Sequence, residues 1–199
     1  MTRRTKRPLS YRPDEIECWA AQNSIFPLLG VDEAGRGPLA GPVTAAAVIL
    51  PSKHGIVGLS DSKLLTEAKR ESLFDQICDV ALGYGIASVS ASNIDENGIL
   101  PSTFEAMRQA VAQALQHANE PELVVVDGNL RIPALPLNQR TVVKGDRRSQ
   151  NIAAASILAK VTRDRWMVQV HEQWPQYGFY KHKGYGTKAH LQSIREHGP

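Results

Sequence analysis

The stretch that most restricts the fold is Leu123 to Val126, an unbroken LVVV run closed by Asp127-Gly128-Asn129. Consecutive apolar residues without polar alternation suit a strand covered on both faces, not a strand with one wet side. Such a strand needs helices above and below it, so the run favours an α/β layered domain. Leu28 to Val31 gives a second apolar run of this kind, and Thr44 to Leu50 (TAAAVIL), closed by Pro51, gives a third. Shorter strand signals lie at Ile86 to Val89, entered through Gly83 and Gly85, and at Thr141 to Val143.

Helical spacing fills the gaps between these runs. A short helix fits Asp14 to Gln22, and Thr66 caps another that runs to about Leu82. Ser102 with Glu105 makes a capping box just after Pro101, followed by an apolar stripe of Phe104, Met107, Val111, Ala114 and Leu115 that ends before Pro121. An alanine-rich helix is expected from about Ser149 to His171, burying Ile152, Ala155, Ala159, Trp166 and Val170, and stopped by Pro175. The tail YGFYKHKGYGT is expected to be a loop, with Thr187 capping a last helix up to Gly198. Residues 1–13 are expected to form a flexible basic arm, and residues 14–199 one domain whose part from about 172 to 199 is helical and loop-like.

Composition narrows the class. At 42% hydrophobic and 22% charged the chain is ordinary for a globular domain, with no apolar run near the ~20 residues of a membrane span. No membrane partner is expected. The basic N-terminus lacks the apolar core of a secretion signal, so a cytoplasmic location is expected, with Cys18 and Cys78 reduced. A net charge of +3 leans towards a polyanionic partner, and its distribution says more. Lys181, His182, Lys183 and Lys188 stand beside Tyr177, Tyr180 and Tyr185, a pattern suited to neutralising and stacking on a nucleic acid.

Acids sit at the exits of two apolar runs. Leu28 to Val31 delivers Asp32 and Glu33 into a glycine-spaced turn, Gly35-Arg36-Gly37, and the LVVV run delivers Asp127. Neighbouring side chains on a strand face opposite ways, so Asp32 and Glu33 are expected to share a site only if the chain leaves the strand there. Asp146, in Lys144-Gly145-Asp146 before the long helix, is a fourth acid within reach of such a cluster. Crowded carboxylates repel, which argues for a bound cation, and an all-oxygen donor set selects Mg²⁺ or Mn²⁺ over zinc. Two such ions form the clamp of phosphodiester hydrolysis, with Lys144 and the start of the 149 helix adding positive potential beside them. The residues therefore point to a nuclease or phosphotransferase.

Together the blocks DEAGRGPLAGPV, DSKLLTEAKRE, NIDENGIL, VVVDGN, VKGDRRSQNIAAASILAKVTRDRWM and YGFYKHKGYGT resemble ribonuclease HII, the type 2 ribonuclease H family, in order along most of the chain. The resemblance implies a ribonuclease H-like fold, a mixed central sheet flanked by helices with a small C-terminal helical part. It implies a metal-dependent endonuclease, using Mn²⁺ or Mg²⁺, that cuts the RNA of RNA/DNA hybrids and incises beside single ribonucleotides in duplex DNA. By motif, Asp32, Glu33, Asp127 and Asp146 become the metal-binding and catalytic acids. Asp164 competes with Asp146 for the fourth place, but is expected to pair with neighbouring arginines instead.

The resemblance also gives Gly35, Arg36 and Gly37 the task of sensing the 2′-hydroxyl, and sets Tyr185 against the sugar on the 3′ side of the ribonucleotide. Lys63, Lys144, Ser149 and Lys183 are expected phosphate contacts. His182 and His190 have no spacing that demands catalysis. The sister type III ribonuclease H would carry a further N-terminal substrate-binding domain, for which the residues before Leu29 leave no room. A non-catalytic nucleic-acid module is disfavoured because four acids hinder pure phosphate binding. A monomer is expected, and a sliding-clamp contact is not readable from these residues.

Overall fold

A computed structural model describes residues 12–199, so most of the expected basic arm over residues 1–13 lies outside the described residues. β1 (Leu28–Ala34), β2 (Val43–Ile49), β3 (Gly83–Val89), β4 (Leu123–Asp127) and β5 (Gln139–Val142) form one mixed sheet in the order β3-β2-β1-β4-β5. β2 runs antiparallel to both β1 and β3, while β4 is parallel to β1 and β5 is parallel to β4. The chain thus builds one side of the sheet from β1 outward, then crosses over and builds the other. β1 and β4 meet at the switch.

Helices cover both faces, as the LVVV run requires. α4 (Ile99–Ala114) packs Ala106, Ala110 and Ala114 on the face formed by Leu29, Val31, Ala45 and Val126. α5 (Gln150–Gln173) and α2 (Glu67–Val80) cover the other face, with Ala154, Ile157, Leu158, Leu73 and Ile77 against Ala46 and Val48. Each fully buried leucine, isoleucine or valine contributes roughly 1.5–3 kcal/mol. Small residues let α5 come close: a Cβ on Gly30 would lie 2.2 Å from the Asn151 carbonyl carbon. α1 (Glu15–Gln22) closes a third cluster of Ile16, Ala20, Leu28, Val125 and Ile152.

Three departures from the sequence reading have physical causes. The capping box at Ser102 and Glu105 does not form. α4 begins at Ile99 with Pro101 in its first turn, where the missing N–H has no helical partner to lose. Ser102 is buried and donates to the Asn93 carbonyl, at 3.4 Å. Ahead of it lies α3 (Ala91–Asn97), capped by Ser90 and burying no residue, so it leaves no apolar stripe in the sequence. On α5 the expected burial of Trp166 fails: it is 42% exposed, and Arg163 and Met167 take the buried positions.

The tail is partly helical rather than a loop. A 3-10 turn at Pro175–Tyr177 and a short α6 (Phe179–His182) precede α7 (Lys188–His197), whose cap is Thr187 as expected. Among the described residues no helix is long and apolar enough to cross a membrane.

Candidate active site

The pairing of β1 with β4 stops at Val31 and Val126. Beyond that point β1 continues on β2 as far as Ala34, and β4 reaches Asp127 on β5. The two central strands therefore part at their carboxyl ends, where ligands gather in open α/β sheets. Asp32 and Glu33 lie inside β1, contrary to the expectation that the chain leaves the strand at the acids. They share one cleft because the neighbouring strand has ended.

That cleft holds about 630 Å³ and is lined by Asp32, Glu33, Asp127 and Asp146, all four of the expected acids. Three of them are steered by a local donor. The Glu33 backbone N–H donates to Asp32 Oδ1 at 2.7 Å, and Arg36 Nη1 donates to Glu33 Oε1 at 3.1 Å. The Gly145 N–H donates to Asp127 Oδ1 at 2.7 Å. Asp146 stands in a 3-10 turn, Gly145–Arg147, entered through Lys144 in a left-handed conformation.

Their electrostatics are those of crowded, partly buried carboxylates. Burial, then the charges of Asp127 and Glu33, pushes the Asp32 carboxyl well above its ordinary range. Burial raises Glu33 too, against the pull of Arg36. Asp146 is pushed up to about 6 by burial and by the neighbouring charges of Asp61 and Asp127. Oxygen donors that repel one another this way suit a hard divalent cation. Among the described residues no three acid, histidine or cysteine side chains form a finished metal cage. Magnesium rarely takes an all-protein cage, so this donor set fits an ion whose shell a substrate phosphate completes.

The opposite wall is basic and hydroxylic, and only part of it was foreseen. Lys63, an expected phosphate contact, lines the cleft beside Ser62, Arg70, Ser156 and Lys160. Ser62 and Ser156 bond through their hydroxyls at 2.8 Å. Lys160 sits over the Tyr185 ring at 5.8 Å and pairs with Asp164 at 2.7 Å. Asp164 thus stays out of the acid cluster, as expected, but its partner is this lysine and not an arginine. Asp61, also unforeseen, holds Arg147 at 2.7 Å behind Asp146.

Comparison with known proteins gives the family. Residues 29–199 match the model of the family described as ribonuclease HII. A ribonuclease HII of Delftia acidovorans is 52% identical over 98% of this chain and 81% of its own length. The chain belongs to the ribonuclease HII family. It is an endoribonuclease of the ribonuclease H type, acting on the RNA strand of RNA/DNA hybrids. The ribonuclease H2 of Pyrococcus horikoshii has the same fold, with a TM-score of 0.70 and 26% identity over 87% of this chain and 90% of that one. A ribonuclease HII solved in complex with PCNA, from Archaeoglobus fulgidus, gives a TM-score of 0.69 at 27% identity over 86% and 87%.

Of the residues expected to touch substrate in a ribonuclease HII, Gly35, Arg36, Gly37, Lys63 and Tyr185 line the cleft. Three do not. Ser149 is a correction: it is fully buried as the α5 cap, donating to Glu17 Oε1 at 2.6 Å and accepting from the Ile152 N–H. A hydroxyl occupied on both sides has nothing left for a phosphate. Lys144 is exposed outside the cleft wall, and Lys183 lies outside it with Nζ donating to the Tyr180 carbonyl.

Proposed function

We propose that this chain hydrolyses the phosphodiester on the 5′ side of a ribonucleotide, in hybrids and at single ribonucleotides within duplex DNA, leaving 3′-hydroxyl and 5′-phosphate ends. The observation that carries the reading is one cleft shared by four mutually repelling acids, a glycine-spaced turn and a tyrosine. Asp32, Glu33, Asp127 and Asp146 would hold divalent cations, Mn²⁺ or Mg²⁺. When bound, such a pair of ions activates water and stabilises the leaving oxygen.

The chain's own residues do the selecting. The backbone of the turn at Gly35 to Gly37 is the part that would approach a 2′-hydroxyl, the group that separates RNA from DNA. A Cβ on Gly37 would meet Tyr185 Cε1 at 3.7 Å, so the ring stands next to that turn. A flat ring there favours the deoxyribose that follows a lone ribonucleotide. Lys63 and Lys160 neutralise phosphates, and Arg36 holds Glu33 while half exposed itself. A relative solved with PCNA supports a sliding clamp as a further partner.

Cutting of a duplex with one ribonucleotide, in Mn²⁺ or Mg²⁺, tests this reading. Incision 5′ to the ribonucleotide is expected, and binding without incision rejects it.

A further inference from the structure

Arg163 is 1% exposed, on α5, and does not line the cleft. Its guanidinium is spent on three carbonyls. Nε donates to Pro42 O at 2.8 Å, Nη2 to Ala40 O at 2.9 Å and Nη1 to Lys183 O at 2.9 Å. Two of these acceptors lie just beyond the Gly35 to Gly37 turn, and the third lies two residues before Tyr185. One planar fork thus grips both sequence-distant sides of the substrate wall.

The seam it closes has no slack. A Cβ on Gly35 would lie 2.4 Å from Pro42 O and 2.6 Å from Arg163 Nε, so the first glycine of the turn rests on the guanidinium. A Cβ on Gly184 would lie 2.2 Å from Ala40 O, and the Leu39 N–H donates to Gly184 O at 2.9 Å. The segment carrying Tyr185 therefore docks on the segment following β1 by backbone contact, with Arg163 as the side chain that ties the two together. A buried guanidinium whose hydrogen bonds go to carbonyls is an expensive device for stability alone, since apolar residues fill such volume at least as well. Its fixed geometry is what an apolar residue cannot supply.

We propose that Arg163 is a positioning residue that sets the preference for a ribonucleotide followed by deoxyribose, by holding Tyr185 in register with the Gly35 to Gly37 turn. The proposal rests on the reading of Tyr185 and the turn given above. Lysine keeps the charge but offers one ammonium in place of a fork, so it cannot hold all three carbonyls in plane.

The test compares kcat/KM on a DNA duplex with one ribonucleotide to kcat/KM on a uniform RNA/DNA hybrid, well below each variant's melting midpoint. The ratio is the readout, because a loss of folded enzyme scales both substrates alike. Arg163→Lys is expected to lower it by about tenfold to a hundredfold, the scale on which a misplacement of the order of 1 Å acts. Tyr185→Ala is expected to lower it by a similar factor, and the double variant by no more than about twofold further, as for two residues acting through one contact. If Tyr185→Ala lowers the ratio while Arg163→Lys leaves it unchanged, or if the two effects simply multiply, the proposal is overturned and the reading of Tyr185 stands. If Tyr185→Ala leaves the ratio unchanged, the reading of Tyr185 is what fails. Should Arg163→Lys not fold, Gly184→Ala strains the same seam from the other side, and an unchanged ratio there overturns the proposal.

Discussion

Asp127 and Gly145 are joined by a 2.7 Å hydrogen bond, from the glycine N–H to Oδ1 of the acid. The carboxylate at the exit of β4 thereby anchors the turn that carries Asp146, and two of the four acids are fixed relative to each other by backbone. A Cβ on Gly145 would meet Ile152 Cδ1 at 2.6 Å and Asp127 Oδ1 at 3.2 Å, so the turn has little room to move.

Asp127→Asn keeps that acceptor and removes the charge. Cleavage is expected to fall by at least about two orders of magnitude, as when a group that stabilises developing charge is lost. Stability should change by no more than about 1 kcal/mol, since the bond to Gly145 survives. Single-turnover cleavage and substrate binding in chelator, measured side by side, check this. Turnover near the parent's would remove Asp127 from the chemistry.

The anionic pocket predicts how stability varies with pH in metal-free protein. Asp146 ordinarily titrates at 3.8 and is pushed up to about 6, so its contribution is fully present below the ordinary value and is lost as pH rises through about 6. Asp32, raised by burial and by its acidic neighbours, acts in the same direction. Asp146→Asn should therefore melt a few degrees above the parent near neutral pH and no higher than the parent at about pH 4. Melting curves in EDTA that run parallel across this range would contradict the assignment.

Divalent cations should raise the melting midpoint near neutral pH by binding only the folded cleft, and protons should compete with them below about pH 6. Titration of Mn²⁺ by calorimetry, with proton release read in two buffers, measures this linkage.

Lys160 was hidden in the sequence by its setting, an alanine-rich helix whose inward residues are mostly apolar. Burial lowers its ammonium's proton affinity, and Asp164 opposes that. As a cleft cation its loss in Lys160→Met should weaken substrate binding and flatten the dependence of log affinity on log salt by about one charge. An unchanged salt slope would assign Lys160 to structure alone.

Ser149→Ala separates a cap from a phosphate contact. Loss of the cap should destabilise by about 1 kcal/mol, or roughly 2–4 °C in a chain of this size. KM should not change. A raised KM at unchanged stability would return Ser149 to the substrate surface.

Much of this was legible in the residues. The runs at Leu28, Thr44 and Leu123 gave the central strands because unbroken apolar stretches admit few other placements. The acids were legible because each follows such a run or precedes a capped helix. What escaped notice had no local signature. α3 buries no residue, and Pro101 reads as a boundary although a first helical turn accepts it. Asp32 and Glu33 share a cleft through the early end of β4, a property of the pairing and not of either strand. Arg163 and Lys160 depend on which face of α5 turns towards the sheet and cleft, and Trp166 misled because it was grouped with Ile152, Ala155 and Ala159 on one face of that helix.

The most direct measurement maps the ends left when a DNA duplex with one ribonucleotide is cut, in Mn²⁺ and in EDTA. Four acids acting together with divalent ions predict a break on the 5′ side of the ribonucleotide, with a 3′-hydroxyl and a 5′-phosphate, and no break in EDTA. A break on its 3′ side ending in a 2′,3′-cyclic phosphate would mean that the ribonucleotide's own hydroxyl attacks, and cutting that persists in EDTA would mean that the carboxylates do not act through divalent ions.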